Sequence, residues 1–140
     1  MAQITVTKGN LFAYEATHAL VHCVSADFAL GAGIAVQFNM RYNMRNRLKQ
    51  VVPSPKIGDA VYLTPAWNLI TKRRYWEKPT YETLRMALNN LKLQASAMKQ
   101  KQLAMPAIGC GLDRLSFPIV KQMIEDIFAG SDISVLIVLR

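Results

Sequence analysis

Cysteine is scarce in this sequence, since Cys23 and Cys110 are its only two and neither lies in a CxxC motif. This usage excludes a disulfide scaffold and a zinc ribbon, and it favours an intracellular, reducing compartment. Long hydrophobic runs are also missing, because none approaches the roughly 20 apolar residues that a membrane helix needs. The first residues, MAQITVTKGN, lack the charged-then-apolar pattern of a signal peptide. We therefore expect neither secretion nor insertion in a membrane.

Internal repeats and low-complexity segments are absent as well. The 140 residues fit one ordinary domain, spanning residues 1–140, because domains average roughly 100–200 residues. Hydrophobic residues make up 51% and charged residues 19%, which is enough apolar material for a core and excludes a disordered tail. We expect a monomer.

Acidic residues are few, with 9 Asp and Glu against 17 Lys and Arg, so the net charge is +8. The positive charges cluster at residues 41–49 and 72–78. Such an excess favours anionic partners, namely phosphorylated metabolites, nucleic acid or acidic protein. A solvated basic face that serves only solubility is the alternative explanation.

Apolar patterning predicts strands that alternate with helices. Strands are expected at residues 4–7, 19–24, 60–64, 67–71, 102–105 and 133–139. Helices are expected at 34–48, from a Thr80 cap through Met98, and from a Ser116 cap to Phe128 with Gly130 just beyond its end. This alternation predicts an α/β fold of three layers, in which helices flank a mixed, largely parallel sheet.

Two glycine-rich loops each follow a predicted strand and precede a predicted helix. The first contains Gly31-Ala32-Gly33-Ile34, and the second runs from Pro106 to Asp113 as PAIGCGLD. In open α/β sheets, ligands bind beyond the carboxyl ends of the strands, and a helix start favours phosphate. Two such loops can hold a diphosphate between them; a pair of tight turns is the structural alternative.

Specific motifs surround these loops: TKGNLF at 7–12, HCVS at 22–25, GAGIA at 31–35 and PAIGCGLDR at 106–114. In this order they resemble the macrodomain family of ADP-ribose binders. Two more motifs, LITK at 69–72 and KPTYE at 78–82, narrow the resemblance. They are similar to the branch that contains the terminal ADP-ribose protein glycohydrolase and the antitoxin that removes ADP-ribose from DNA. The resemblance covers essentially the whole chain and implies the α/β/α macrodomain sandwich.

The resemblance implies a lysine nucleophile and an aspartate acid/base, and the matching residues are Lys72 and Asp113. A neutral amine can attack the anomeric carbon of the distal ribose, or its open-chain aldehyde, and expel the modified group. The carboxylate can take a proton from the lysine or a ribose hydroxyl and return it to the leaving group.

Further ADP-ribose contacts are implied by the same resemblance. Asn10 and Leu11 are expected beside the adenine, although many members carry Asp where Asn10 stands. Ser25 is expected near a ribose or a phosphate. Arg140 is expected near the nucleoside, where Val138 replaces an expected aromatic residue. The remaining contacts are Gly31, Gly33 and Ile34 along the distal ribose and diphosphate, and the backbone N–H groups of Ala107, Ile108, Gly109, Cys110, Gly111 and Leu112.

No metal site or cofactor is predicted. His18 and His22 are four residues apart, but His22 lies in a predicted strand, where this spacing does not make a helical metal pair. Cys110 lies in the expected phosphate loop without a neighbouring histidine in the sequence, so packing is favoured over nucleophilic chemistry.

The sequence therefore predicts an ADP-ribosyl hydrolase that removes ADP-ribose from modified macromolecules, with Glu and Asp esters and O-acetyl-ADP-ribose as its first substrates. An ADP-ribose-1″-phosphate phosphatase, a glycohydrolase for ADP-ribosyl-thymidine in DNA and a non-catalytic ADP-ribose reader stay open as alternatives. The expected partners are ADP-ribose and ADP-ribosylated protein, and the basic charge leaves nucleic acid open. The expected location is the cytoplasm, the nucleus in a eukaryote, or the host cytoplasm for a viral protein.

Overall fold

The computed structural model describes residues 3–140, in which six strands form one sheet. The strands are β1 (Ile4–Lys8), β2 (Ala19–Ser25), β3 (Ala60–Leu63), β4 (Ala66–Lys72), β5 (Gln102–Met105) and β6 (Ser134–Leu139). The helices are α1 (Ile34–Tyr42), α2 (Met44–Val51), α3 (Tyr81–Ala97) and α4 (Phe117–Phe128), with one 3₁₀ turn at Leu11–Tyr14.

The sheet order is β1-β6-β5-β2-β4-β3. All neighbouring strands are parallel except β3 and β4, which pair antiparallel. Parallel neighbours place their carboxyl ends at one edge, so the segments that follow β2, β4 and β5 leave the sheet side by side. This arrangement confirms the predicted mixed, largely parallel sheet.

Two apolar cores lie on opposite faces of the sheet and share its central strands. Along β2, Val21 enters one core, while Leu20 and Val24 enter the other. Helices α3 and α4 close the first core, and α1, α2 and the 3₁₀ turn close the second. Helices on both faces make the three-layer α/β/α sandwich, and they explain why β4 is buried along nearly its whole length.

The helix predicted at residues 34–48 is wrong in one respect, because the structure divides it into α1 and α2 at Asn43. Asn43 adopts a left-handed conformation (φ 53°, ψ 40°), which asparagine tolerates better than most residues. The side chain of Asn39 then accepts a hydrogen bond from Arg45 N at 3.0 Å. The break turns α2 away from α1, and periodicity alone does not reveal it.

The predicted helix caps have different outcomes. Thr80 caps α3, since its hydroxyl accepts from Thr83 N at 3.0 Å and Thr83 Oγ1 accepts from Thr80 N at 3.0 Å. Ser116 occupies the cap position of α4, but its side chain makes no capping hydrogen bond. Gly130 follows the end of α4 with φ +76°, as its position predicted.

Within residues 3–140, no helix is both long and apolar enough to cross a membrane.

Candidate active site

Lys72 and Asp113 meet at the carboxyl edge of the sheet. Lys72 is the last residue of β4, and Asp113 lies in the loop between β5 and α4. Lys72 Nζ donates to Asp113 Oδ1 at 2.8 Å, and the two side chains remain 15% and 18% exposed. The structure therefore brings the two predicted reactive residues into one ion pair that solvent can reach.

A second lysine ties the same loop to the segment after β4. Lys78 Nζ donates to the backbone oxygen of Leu112 at 2.7 Å, one residue before Asp113. The segment 72–78 is thus attached to the Asp113 loop at both of its ends. This double attachment fixes the direction from which Lys72 approaches Asp113.

The first glycine loop faces the Asp113 loop. Gly33 precedes α1 with φ +61°, a conformation that favours glycine, and a Cβ built on it would lie 3.4 Å from Leu112 Cδ1. No side chain caps α1, and Val36 N donates to Gly33 O at 3.3 Å, so the N–H groups of Ile34 and Ala35 at the start of the helix are the ones available to a ligand. Gly31 is exposed on the same loop. The two glycine loops therefore lie against each other, beside the Lys72–Asp113 pair.

The second glycine loop uses some of its amides in its own turns. Ile108 N donates to Pro106 O at 2.7 Å, and Cys110 N donates to Ala107 O at 3.1 Å. Within residues 3–140, the amides of Ala107, Gly109, Gly111 and Leu112 donate no hydrogen bond. Of the six N–H groups expected to bind phosphate, these four are therefore free to do so.

Gly109 keeps this loop in its folded shape. Its φ of +74° is unfavourable for other residues, and a Cβ built there would lie 2.9 Å from Leu115 Cδ1. Leu115 N also donates to Gly109 O at 2.7 Å, which closes the loop before α4 begins. Glycine is required here both for the backbone conformation and for the space.

The residues expected at the nucleoside end lie together at the carboxyl ends of β1 and β6. Gly9 N donates to Leu139 O at 2.8 Å, which brings Asn10 and Arg140 to neighbouring positions. Asn10 Oδ1 accepts from Phe12 N at 3.0 Å and so caps the 3₁₀ turn that begins at the buried Leu11. An amide oxygen has two lone pairs, so this cap leaves room for a second donor.

Val138 offers no stacking surface, because it is 2% exposed and packs in the core beneath α1 and α2. Because Val138 stands where an aromatic residue was expected, this chain has no aromatic contact at that position.

Comparison with known proteins identifies the family. No family model matches the chain. ADP-ribose glycohydrolase OARD1 of Bos taurus is 39% identical over 143 residues, which covers 97% of this chain and 91% of that protein. The Homo sapiens protein of the same name is 38% identical with the same coverage. The macrodomain of Mycobacterium tuberculosis DarG has a TM-score of 0.90 at 23% identity, covering 99% of this chain and 98% of its own. This chain belongs to the macrodomain family.

Within this macrodomain, Asp27 is a site residue that the sequence did not predict. Its Oδ1 accepts from Ser25 Oγ and from Ala29 N, and its Oδ2 accepts from Tyr75 N at 3.0 Å. Partial burial opposes ionisation, but the three hydrogen bonds and the charge of Arg74 lower the pKa of Asp27 below its usual range. Asp27 thus links the loop after β2 to the segment after β4. The available signal was its position two residues beyond a buried strand.

This contact also explains Ser25, which was expected to touch ribose or phosphate. Ser25 is the last residue of β2, pairs with Lys72 across the strands and is 5% exposed. Its hydroxyl donates to Asp27 rather than pointing freely into the cleft. In the structure its side chain supports the floor of the site.

The cysteines beside the site are poor nucleophiles. Burial raises the pKa of Cys110 to about 11. Burial and then the charge of Asp113 raise the pKa of Cys23 to about 12. Both thiols therefore stay protonated near neutral pH, which agrees with the packing role expected for Cys110.

The two histidines serve different local contacts. His22 Nε2 donates to Asn68 Oδ1 at 2.6 Å inside the core, while His18 Nδ1 lies 2.7 Å from Thr17 Oγ1 near the surface. In the part of the chain that the structure describes, no three His, Cys, Asp or Glu side chains lie close enough together to hold a metal ion.

Proposed function

We propose that this macrodomain is an ADP-ribosyl hydrolase, a single-domain monomer that binds ADP-ribose and removes it from modified macromolecules. The observation that carries the proposal is the Lys72–Asp113 ion pair, 2.8 Å long and partly exposed, beside two glycine loops that lie against each other. A non-catalytic ADP-ribose reader does not need a nucleophile and a proton acceptor in contact at this place.

The related proteins support the hydrolase class. The bovine and human relatives, 39% and 38% identical, are both named ADP-ribose glycohydrolases. A structure of Thermosipho africanus DarTG in complex with ADP-ribose shares this fold, with a TM-score of 0.86 at 18% identity. This chain covers 42% of that longer protein and is itself covered completely.

In the proposed binding mode, ADP-ribose lies along the carboxyl edge of the sheet. The adenosine end lies near Asn10, Leu11 and Arg140. The diphosphate accepts hydrogen bonds from the amides of the second glycine loop and from the start of α1, where the helix dipole is positive. The distal ribose then extends past Gly33 to Lys72. This order follows from the sheet, because β1 and β6 lie at one side and β4 near the other.

In the proposed mechanism, Asp113 accepts a proton from the Lys72 ammonium group. The neutral amine attacks C1″ of the distal ribose, so a C–N bond forms as the C1″–O bond to the acceptor breaks. Asp113 returns the proton to the leaving oxygen. Water then cleaves the lysine adduct and releases ADP-ribose. The amine and the carboxylate supply the nucleophile and the proton transfer, so no cofactor enters these steps.

Esters on Glu and Asp side chains are the substrates we expect first, with O-acetyl-ADP-ribose as a small equivalent. A carboxylate is a good leaving group, which suits a site with one acid/base. Proteins inside the cell are therefore the expected macromolecular partners, in agreement with the two free cysteines.

The test compares wild type and Lys72→Ala on three substrates in parallel: ester-linked ADP-ribosyl peptide, ADP-ribosyl-thymidine DNA and ADP-ribose-1″-phosphate. We expect wild type to cleave the peptide ester, and Lys72→Ala to lose turnover while its Kd for ADP-ribose changes little. Lys121→Ala is the matched control, because Lys121 Nζ pairs with Glu125 Oε1 at 2.6 Å on α4, away from the cleft.

The outcomes separate the candidate functions. Wild-type turnover confined to the 1″-phosphate would show a phosphatase, and ADP-ribose binding without turnover of any substrate would show a reader. Equal turnover by Lys72→Ala and Lys121→Ala would remove Lys72 as the nucleophile.

A further inference from the structure

The register of β4 against β2 changes immediately before Lys72. Val24 pairs with Ile70. Ser25, the next residue of β2, pairs with Lys72 and leaves Thr71 without a partner on β2, which is the pattern of a β-bulge. A bulge changes the direction of the side chains that follow it, and bulges are common beside active sites. The direction of Lys72 therefore depends on contacts beyond the regular strand pairing.

The loop after β2 supplies those contacts. Ala26 N donates to Lys72 O at 2.8 Å, and Asp27 Oδ2 accepts from Tyr75 N at 3.0 Å. These two hydrogen bonds fix residues 72–75 at both ends, and Lys72 is the first residue of that segment. The backbone that carries the amine thus takes its position from the loop after β2.

The other oxygen of Asp27 holds the backbone that leads to the first glycine loop. Asp27 Oδ1 accepts from Ser25 Oγ and from Ala29 N. Phe28 and Leu30 are buried there with φ of 51° and 46°, a left-handed conformation that bulky side chains rarely adopt. Such a backbone persists only where surrounding contacts hold it. Asp27 therefore binds two segments of the site, one with each carboxylate oxygen.

We propose that Asp27 is a positioning residue for Lys72: through Tyr75 N it keeps the amine aimed at Asp113 and at the distal ribose. This inference rests on the proposed hydrolase function and adds a residue to it. Asp27 acts through the backbone of the segment that begins at Lys72 rather than on the reacting atoms. Because its two oxygens bind two segments, it also fixes the nucleophile relative to the loop that binds the diphosphate.

Asp27→Asn tests this role, because it removes one acceptor and keeps the size of the side chain. The amide oxygen still accepts from Ser25 Oγ and Ala29 N, whereas the amide nitrogen is a donor and cannot accept from Tyr75 N. With an ester-linked ADP-ribosyl peptide, kcat should fall about 10- to 100-fold, because small displacements of a reacting group slow the reaction strongly. The KM and the Kd for ADP-ribose should change little, because the contacts to the glycine loop remain.

Two variants show whether the effect is specific. Asp126→Asn is the matched control, because Asp126 is an exposed carboxylate near the C-terminal end of α4, and it should leave kcat unchanged. Arg45→Met loosens the same loop from another side, since the Arg45 guanidinium donates to Ala29 O. It keeps the contact with Tyr75, so it should raise the Kd for ADP-ribose and leave kcat nearly unchanged. A merely structural role of Asp27 predicts instead the same change in both loop variants.

A spectroscopic measurement tests the positioning without turnover. The backbone amide signals of Lys72 and Tyr75 are observed by NMR in protein with isotope-labelled lysine and tyrosine, and they are assigned by their loss in Lys72→Ala and Tyr75→Phe. Asp27→Asn should move both signals, because it breaks the hydrogen bond that fixes their segment. Asp126→Asn should move neither.

Three results would overturn the proposal: equal kcat for Asp27→Asn and Asp126→Asn, loss of ADP-ribose binding in parallel with turnover, or unmoved Lys72 and Tyr75 signals in Asp27→Asn. Any of these results, with normal hydrolysis of the ester by wild type, would leave the proposed hydrolase function standing. If wild type hydrolyses no ester, the hydrolase is rejected. Movement of the Lys72 signal in Asp27→Asn would then still show that Asp27 positions this segment, and an unmoved signal would reject both proposals.

Discussion

Strand β4 contributes one residue to each of two polar pairs, and the two pairs differ in burial and in partner. Asn68, in its middle, pairs with His22 on β2 and is completely buried. Lys72, at its carboxyl end, pairs with Asp113 and remains partly exposed. The residues are four positions apart. Position along the strand thus decides whether a polar pair is sealed in the core or open to a ligand.

The inner pair is held by a network that leaves no room for a substrate. Asn68 Nδ2 donates to Val61 O at 3.2 Å, so its Oδ1 is the atom that accepts from His22 Nε2. The His22 ring stacks on Phe38 with centroids 3.8 Å apart. This pair contributes to stability through the Asn68 hydrogen bonds and ring packing, although His22 Nδ1 is buried without a hydrogen-bond partner in the described part of the chain. The outer pair differs in being partly exposed, so that a substrate can reach it.

The largest effect is expected at the outer pair. Asp113→Asn keeps the shape of the side chain but cannot accept and return a proton, so turnover should fall about 100- to 10,000-fold. Binding of ADP-ribose and the free energy of unfolding should change little. Steady-state kinetics and calorimetric titration measure the two quantities. Glu125→Gln, in the surface pair on α4, is the control, and near-normal turnover by Asp113→Asn would reject its role in proton transfer.

Substitution in the inner pair should affect mainly the free energy of unfolding. Asn68→Leu leaves the His22 Nε2–H and the Val61 carbonyl without their buried partner, so the free energy of unfolding should drop by about 3 kcal/mol. Denaturant unfolding measures this loss. Asn89→Leu is the control because Asn89 is exposed on α3, and it should cost far less. Equal losses in the two variants would show that the buried network contributes little.

A smaller effect is expected from the titration of His22. Burial lowers the pKa of His22 to about 4, although its hydrogen bond with Asn68 acts in the other direction. Below about pH 6.5, His22 binds a proton in the unfolded chain but not in the folded chain. The free energy of unfolding should therefore decrease as the pH is lowered through this window, by about 2 kcal/mol between pH 6.5 and 5. Above this window, His22 should not change the free energy of unfolding.

An NMR titration of the imidazole carbons measures this directly in the unmodified protein. His22 should stay neutral to about pH 4. His18 is the internal control, because burial lowers its pKa as well but its ring lies near the surface. Protonation of His22 near pH 6.5 in the folded protein would contradict the sealed character of the inner pair.

Local sequence patterns predicted most of the fold because they act over short distances. The apolar run at β2, the Thr80 cap and the glycine beyond α4 are each decided by residues within a few positions. The break at Asn43 was not predicted, since the 34–48 segment keeps a helical pattern across it. There the left-handed asparagine and the bond from Arg45 N to Asn39 decide the boundary.

The motifs predicted which residues belong to the candidate site, but they did not predict the hydrogen bonds that join those residues. Asp27 carries no motif of its own, and its importance comes from accepting Tyr75 N, 48 residues away in sequence. The amides of Ile108 and Cys110 could not be told from those of Gly109 and Gly111 before the turns of the loop were known.

The sequence by itself determined the α/β class, the two glycine loops and the residue types that can act on a ribose, because these depend on composition, period and motif. Only the tertiary structure decided that Lys72 touches Asp113, 41 residues away, and that Tyr75 N binds Asp27, 48 residues away. The physical reason is the order of the strands. A parallel sheet brings the carboxyl ends of separate segments to one edge, and the order in which those segments pair decides which side chains meet there.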